Sequence, residues 1–104
     1  MRTIKFHGRS LGAVRGFPLS VKRNVGYQLH RIQCGLDPVD WKPMQQIGTG
    51  VKELRVRDNG QFRVIFFAVF NSSVHVLHAF QKKTRRTRLL DMRIASEAFR
   101  KLRK

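Results

Sequence analysis

Basic side chains are the groups in this sequence best suited to chemistry, and many of them lie between residues 52 and 88. The planar guanidinium of arginine matches two phosphate oxygens at once and stays charged. A lysine among like charges can have its pKa lowered, and a histidine titrates near neutral pH, so either can transfer a proton. The candidates for this chemistry are Lys52, Arg55, Arg57, Arg63, His78, Lys82, Lys83, Arg85, Arg86 and Arg88.

Other common catalytic groups show no comparable pattern. The histidines His7, His30, His75 and His78 and the single cysteine, Cys34, lack any paired metal-ligand spacing. Alternation along a strand predicts that His75 and His78 point to opposite faces of a sheet. The sequence has no glycine-rich phosphate loop and no nucleophile elbow, and its six acids are too scattered for paired-carboxylate chemistry. We therefore expect no metal ion and no cofactor.

The chain as a whole is strongly basic. Its 104 residues include 22 Lys and Arg against six Asp and Glu, a net charge of +16. Because self-repulsion opposes compaction, this surplus indicates a polyanionic or acidic partner, with nucleic acid ahead of a membrane surface. The length predicts one domain over residues 1–104. With no membrane-spanning apolar run, no signal-peptide pattern and one cysteine, we expect a cytoplasmic location and no membrane partner.

Three consecutive strands position most of the basic residues. Residues 51–57 alternate between apolar and polar side chains, which predicts a half-buried strand. The Asn59-Gly60 pair predicts a tight hairpin, followed by an apolar central strand over residues 62–70. A turn at residues 71–73 leads to a third strand over residues 74–80. The exposed face of the first strand should carry Glu53, Arg55 and Arg57.

Antiparallel pairing of these strands should bring the basic residues together at one end of the sheet. Lys82 and Lys83 follow the third strand and should therefore lie beside Arg63, near the start of the second. Arg63 interrupts an apolar run, so it needs a partner or a purpose. Arg55 can pair with Glu53 on the same face of its strand. Three further arginines form either a solvated rim or a contact with RNA, namely Arg85, Arg86 and Arg88.

The flanking segments predict the rest of the fold. Thr3–Phe6 is a short strand, and Ser10 can cap a brief helix over residues 10–17. Leu19–Gln33 carries an apolar stripe at helical spacing and ends before Gly35, while residues 36–49 indicate a loop. The stripe residues of this helix are Val21, Val25, Leu29 and Ile32.

Thr87 can cap a final helix with a second apolar stripe. This element order predicts an α+β domain, with an antiparallel sheet of about four strands packed by N-terminal helices and a C-terminal helix. The stripe residues of the final helix are Leu89, Met92, Ala95, Phe99 and Leu102.

Several of these segments resemble one family of small proteins. The run over residues 50–84 is similar to the motif region of the RelE/HigB-like toxins, in particular their phage-derived branch, and residues 36–44 and 48–51 also look like that branch. The resemblance covers roughly residues 18 to 99 and implies a RelE-like fold. The motifs that carry it are Glu53-Leu54-Arg55, Phe62-Arg63-Val64 and Leu77-His78-Ala79-Phe80-Gln81-Lys82-Lys83-Thr84.

The resemblance implies the toxin of a type II toxin–antitoxin pair. Ribonuclease members of that family cut messenger RNA, usually on the translating ribosome. The antitoxin is a separate protein, commonly of the helix-turn-helix type, and we expect an acidic region of it to cover the basic site. At matching positions the resemblance implies a catalytic set, and the remaining basic residues of this region form a predicted RNA-binding set. The catalytic set is Arg55, Arg63, His78, Lys82 and Lys83; the RNA-binding set is Lys52, Arg57, Arg85, Arg86 and Arg88.

The sequence departs from the branch at two places. A proline followed by an acid early in the last helix is replaced by Arg88, Leu89 and Leu90, with an acid first at Asp91. The tyrosine that some ribonuclease relatives use is also missing from the basic end, since the only tyrosine is Tyr27.

Two alternative functions stay open at this point. One is a ParE-like toxin, which shares the fold but inhibits DNA gyrase without cutting RNA. The other is a non-catalytic module that binds nucleic acid through charge alone. The convergence of basic residues at the end of one sheet favours RNA cleavage, because a purely inhibitory surface does not need it.

Overall fold

The fold is a five-stranded sheet with helices on both faces. The computed structural model describes residues 1–69, 73–86 and 88–102. The predicted turn residues Asn71 and Ser72 and the predicted cap Thr87 lie outside these ranges. The elements are β1 (Thr3–Phe6), α1 (Ser10–Arg15), α2 (Leu19–Gln33), β2 (Trp41–Pro43), β3 (Val51–Arg57), β4 (Gln61–Ala68), β5 (Ser73–Lys82) and α3 (Leu89–Leu102).

The strand order is β1-β5-β4-β3-β2. Strands β2 to β5 are joined by antiparallel pairing, as the predicted meander requires, whereas β1 pairs parallel with β5. The α+β class and the packing by helices at both ends of the chain are confirmed. The sheet is nevertheless mixed and has five strands, where about four antiparallel strands were predicted.

The additional strand, β2, lies in a segment that the sequence predicted to be a loop. It is three residues long and contains Pro43, so it carries too few positions to show a period of two. Its residues are extended because they pair with β3, with Trp41 opposite Leu54. The short edge strand therefore depends on its neighbour, which local sequence does not reveal.

Two apolar clusters fill the space on either side of the sheet. The α2 stripe that the sequence predicted is buried against one face, together with Leu54, Phe62 and Val76. Helix α3 covers part of the other face through Ala95 and Phe99. The predicted α3 stripe is wrong at its first position, because Leu89 is 82 % exposed. None of the helices in the described ranges combines the length and apolar character needed to cross a membrane.

The hairpin between β3 and β4 forms where the sequence predicted it. Asn59 has φ 49° and Gly60 has φ 148°, both in the left-handed region that this pair of residues tolerates. Arg57 and Gln61 form the pair that closes the hairpin. The tight connection fixes the register of β4 against β3, and so determines which residues of the two strands are neighbours.

A β-bulge in β5 corrects the predicted orientation of two histidines. Ile65 pairs with His78, but the next residue, Phe66, pairs with Val76, so Leu77 is an extra residue. The extra residue shifts the alternation by one position. His75 and His78 therefore lie on the same face of the sheet, the one that α3 packs against, and not on opposite faces.

Ser10 begins α1 but does not cap it. The helix has no side-chain cap hydrogen bond, and the Ser10 hydroxyl donates instead to the carbonyl of Val76, at 3.3 Å. The helix also ends at Arg15, two residues before the predicted end. The serine thus joins α1 to the central strand β5.

Candidate active site

The sheet register gathers the predicted catalytic residues on one face, at the end of the sheet that carries the β3–β4 hairpin. Arg55 pairs with Arg63 across β3 and β4, and Arg63 pairs with Phe80 on β5. The same face also includes Lys82, which pairs with Gln61 one step nearer the hairpin, and His78, which pairs with Ile65 one step away. The predicted convergence of Lys82 with Arg63 is therefore present in the structure.

Arg63 is enclosed by protein and paired with Glu53. Their side chains are 3 % and 1 % exposed, and Arg63 Nε lies 3.4 Å from Glu53 Oε1. The guanidinium also donates to the carbonyl of Phe62 at 3.2 Å and to Gln61 Oε1 at 2.7 Å. Burial lowers the pKa of Arg63, while the negative charge of Glu53 raises it. The arginine keeps its charge inside the protein because a carboxylate is buried beside it.

The position of Glu53 corrects the predicted exposed face of β3. Glu53 was expected in solvent, yet it is buried, and Lys42 Nζ on the neighbouring β2 lies 3.9 Å from it. Its two carboxylate oxygens have no hydrogen-bond partner in the described part of the chain, so Arg63 and Lys42 act on it through charge. Its two neighbours come from the strands on either side of β3, Lys42 from β2 and Arg63 from β4.

Arg55 is held by Asp40 and not by Glu53 as predicted. Asp40 Oδ1 accepts hydrogen bonds from Arg55 Nε at 3.1 Å and from a terminal nitrogen at 2.8 Å. The backbone N–H of Arg55 also donates to the Asp40 carbonyl, at 2.9 Å. Arg55 is thus fixed in direction while remaining partly exposed, so its guanidinium is accessible to a phosphate.

Lys82 lies at the open edge of this cluster. Partial burial lowers the pKa of its ammonium below the ordinary value, and the positive charges of Arg63, Lys42 and Arg55 lower it further against the opposing effect of Glu53. The lysine borders an open groove of about 440 Å³. A lowered pKa increases the fraction of neutral amine, which is the form that can accept a proton. The groove is lined by Gln61, Lys82, Lys83, Thr84 and Arg85.

His78 is hydrogen-bonded to an acid from α3. Its Nε2 lies 2.7 Å from Asp91 Oδ1, and the other oxygen of Asp91 accepts from Arg88 Nε at 3.2 Å. The ring of Phe80 stacks on His78, with centroids 5.2 Å apart. This arrangement fixes the imidazole plane and leaves Nδ1 as the nitrogen not bonded to Asp91.

The other predicted RNA-binding residues occupy different places. All three of the arginines Arg57, Arg85 and Arg86 are exposed: Arg85 lines the groove, Arg57 pairs with Gln61 of its lining, and Arg86 follows Arg85 in the chain. Lys52 is not brought together with them, because it pairs with Phe66 on the face covered by α2. It forms an ion pair with Asp37 at 2.9 Å and lies over the ring of Trp41.

Three acids around the site are the partners of Arg55, Arg63 and His78. The sequence suggested a pairing for only one of them, Glu53, and that pairing was with Arg55. The sequence does contain a signal for these pairings, because the chain has only six acids and 22 basic residues. A carboxylate in a strand of such a chain can be expected to pair with a cation. In the described ranges no three histidine, cysteine or acidic side chains form a group that could hold a metal ion. The acids are Asp40, Glu53 and Asp91.

Comparison with known families identifies the family of this chain. Residues 13–100 match the family described as phage-derived protein Gp49-like. The chain belongs to this family. Gp49-like proteins are RelE/ParE-type toxins associated with toxin–antitoxin systems, so a cognate antitoxin is the partner that membership implies. None of the curated proteins matches the chain significantly.

Proposed function

We propose that this Gp49-like protein is a HigB-like messenger-RNA endonuclease, the toxin of a type II toxin–antitoxin pair. The observation that supports this best is Lys82, which lies beside an open groove, next to the Arg55–Arg63 pair, and has a lowered pKa. This position, between the arginines and the groove, is the one that a proton-transfer group requires.

The reaction is an attack by the 2′-hydroxyl of RNA on the adjacent phosphorus. A base removes the 2′-hydroxyl proton, the P–O5′ bond breaks, and an acid protonates the leaving 5′-oxygen, which yields a 2′,3′-cyclic phosphate and a 5′-hydroxyl. The neutral form of Lys82 is the proposed base. His78 is the proposed second proton-transfer group, through the Nδ1 that does not face Asp91.

The negative charge that develops on the phosphorane is assigned to the arginines. Arg55 is oriented by Asp40 and accessible, so it is the proposed direct phosphate contact, with Lys83 beside the groove. Arg63 is too enclosed for direct contact in this arrangement. Its proposed role is electrostatic, since its charge lowers the pKa of Lys82 and stabilises negative charge nearby.

Ribosome dependence and antitoxin binding are part of the same proposal. The groove is open and lined by polar and basic side chains. Such side chains bind the phosphate backbone of RNA but do not select which phosphodiester bond lies next to the catalytic groups. A message held on the ribosome would supply that positioning. An acidic segment of a helix-turn-helix antitoxin is the proposed inhibitor, because it would compete for the same cations.

The proposal is tested by adding the purified protein to a translating extract with a defined message and mapping the new RNA ends. The informative variant is Lys82→Met, which removes the amine and keeps an unbranched side chain. We expect the cleavage rate to fall by about 100-fold or more, the scale of a general acid–base contribution. Lys101→Met is the matched control, because Lys101 is an exposed lysine at the end of α3, and it should cut normally.

Arg63→Ala is a poorer test of the chemistry. It would leave Glu53 buried without its main partner, a change that typically costs about 3–5 kcal/mol in folding stability. Cleavage that persists unchanged in Lys82→Met would contradict the proposed centre. An intact message with the wild-type protein would reject the nuclease, and inhibition of gyrase supercoiling would then identify a ParE-like toxin.

A further inference from the structure

Acidic side chains are distributed unevenly along the chain. All six acids lie between residues 37 and 97, and Asp37, Asp40, Glu53 and Asp91 form ion pairs with cations of that same part of the chain. Residues 1–36 contain no acid at all. They contain seven basic side chains, Arg2, Lys5, Arg9, Arg15, Lys22, Arg23 and Arg31.

Helix α2 presents part of this charge on its outer surface. Leu19, Arg23, Tyr27 and His30 follow one another at spacings of four, four and three residues, so they share the side of the helix opposite the buried stripe. All four are exposed, and Tyr27, the only tyrosine of the protein, is 58 % exposed. An exposed aromatic ring among cations is the composition of a binding surface.

Two more cations flank this side of α2. Lys22 Nζ donates to the carbonyl of Arg15 at 3.2 Å, and Arg31 Nε donates to the carbonyl of Asp37 at 3.0 Å. Both acceptors are backbone groups, so these contacts orient the side chains without cancelling their charge. A second copy of the chain would bring like charges together, which disfavours a dimer on this surface.

Gly26 lies on the same side of α2, one residue before Tyr27. A Cβ added at this position would have no heavy atom within 4 Å, so packing within this chain does not require a glycine. Glycine inside a helix is unfavourable relative to alanine. A glycine on an exposed helix face has no side chain, so the backbone of another molecule can approach the helix closely.

We propose that this side of α2 binds an RNA strand through its phosphate backbone. The surface consists of Arg23, Gly26, Tyr27 and His30, with Lys22 and Arg31 at its edges; we call it the α2 face. The cations contact phosphates, Tyr27 stacks on a base, and Gly26 allows the strand to lie close to the helix. The sheet separates the α2 face from the candidate active site, so the two surfaces contact different segments of RNA. This inference goes beyond the proposed function, because it requires no cleavage.

The first test measures the affinity of the full-length protein for a fluorescein-labelled single-stranded RNA by anisotropy at several salt concentrations. Lys82→Met serves as the background so that the RNA stays intact. Arg23→Ala should weaken binding and reduce the slope of log affinity against log salt by about 0.7 to 1. Tyr27→Ala should weaken binding about fivefold or more. Arg100→Ala, an exposed arginine on α3, is the matched control and should change affinity less than twofold.

Gly26→Ala separates binding from folding. The alanine meets open space and favours the helix, so Tm should rise, while the added methyl group keeps the RNA backbone away and lowers affinity. Unchanged affinity in Gly26→Ala together with equal effects of Arg23→Ala and Arg100→Ala would overturn the proposal. The proposal would also be overturned if Arg23→Ala and Tyr27→Ala lost binding to a polyglutamate peptide but kept their affinity for RNA. The α2 face would then be a site for an acidic protein.

Discussion

Three carboxylates hold the cations of the candidate site in different ways. Glu53 is buried with Arg63, Asp40 orients the accessible Arg55, and Asp91 joins His78 to α3. The first pairing keeps a charge inside the protein, where, in addition to burial, Arg63 lowers the pKa of Lys82 and Glu53 opposes that effect. The other two fix the direction of side chains that stay within reach of a ligand. The acids therefore decide which of many cations are free to contact a phosphate.

At this scale the His78–Asp91 hydrogen bond gives a prediction. Asp91→Asn keeps the size of the side chain but removes the charge that orients the imidazole. We expect RNA cleavage in a translating extract to slow by about 100-fold, close to the effect of His78→Gln. Because the two residues act as a unit, the double variant should be little slower than either single variant.

Arg88→Gln is the control for this prediction. It removes the second partner of Asp91 and leaves the bond to His78 in place, so its effect should be several times smaller. If the fold-reduction in cleavage rate of the double variant equals the product of the two single reductions, His78 and Asp91 act separately.

At the scale of elements, the fold depends on how β1 and α1 are attached to β5. The pairing of β1 is parallel, and it is supported by hydrogen bonds from the His7 backbone N–H and the Ser10 hydroxyl to the carbonyl of Val76. Next to these bonds, His7 Nε2 lies 2.9 Å from His75 Nδ1. Burial lowers the pKa of both histidines, and the charge of Lys5 lowers it further.

The two histidines predict a pH dependence of stability. Their folded pKa lies below the unfolded value, so the unfolded chain binds more protons in the interval between the two. The contribution of the two neutral histidines to the free energy of unfolding is complete above the unfolded pKa, about 6.5. It is lost as the pH falls below that value. Urea unfolding should therefore show a free energy that decreases from pH 7 to pH 5.

His75→Gln should flatten this decrease, because glutamine still forms hydrogen bonds but does not titrate. The same change at the exposed His30 is the control and should leave the slope as it is in the wild type. If His75→Gln retains the full slope, other groups cause the acid sensitivity.

At the scale of the whole molecule, a net charge of +16 acts against folding. The exposed cations of α1 and α2 have no acid in their own part of the sequence, and their repulsion is screened only by ions in solution. The same charge attracts RNA at long range and should speed association at low ionic strength. Binding of a polyanion and stability of the fold are therefore linked in this protein.

This linkage predicts that salt stabilises the protein. Raising sodium chloride from low to moderate concentration should increase Tm by several degrees, since about 1 kcal/mol of relieved repulsion corresponds to roughly 4–8 °C in a domain of this size. Differential scanning calorimetry at fixed pH measures the shift. A Tm that stays constant or falls would show that ion pairs outweigh repulsion.

The α+β class, the α2 boundaries, the β3–β4 hairpin and the basic cluster could all be predicted from the sequence. Each depends on short-range information. Helix α2 shows its period over 15 residues, the Asn59-Gly60 pair favours the turn locally, and antiparallel neighbours follow from the turn. The proximity of Lys82 to Arg63 followed from the same pairing of strands.

Tertiary structure alone decided the remaining features. Strand β2 exists because β3 offers it hydrogen bonds, and the bulge at Leu77 reorients His78 although the local alternation predicts otherwise. Glu53 has its two cationic partners, Lys42 and Arg63, on the strands that flank β3. Composition and periodicity therefore determined which residues could do chemistry, whereas long-range pairing determined their partners, because a buried charge takes its partner from whichever strand lies beside it.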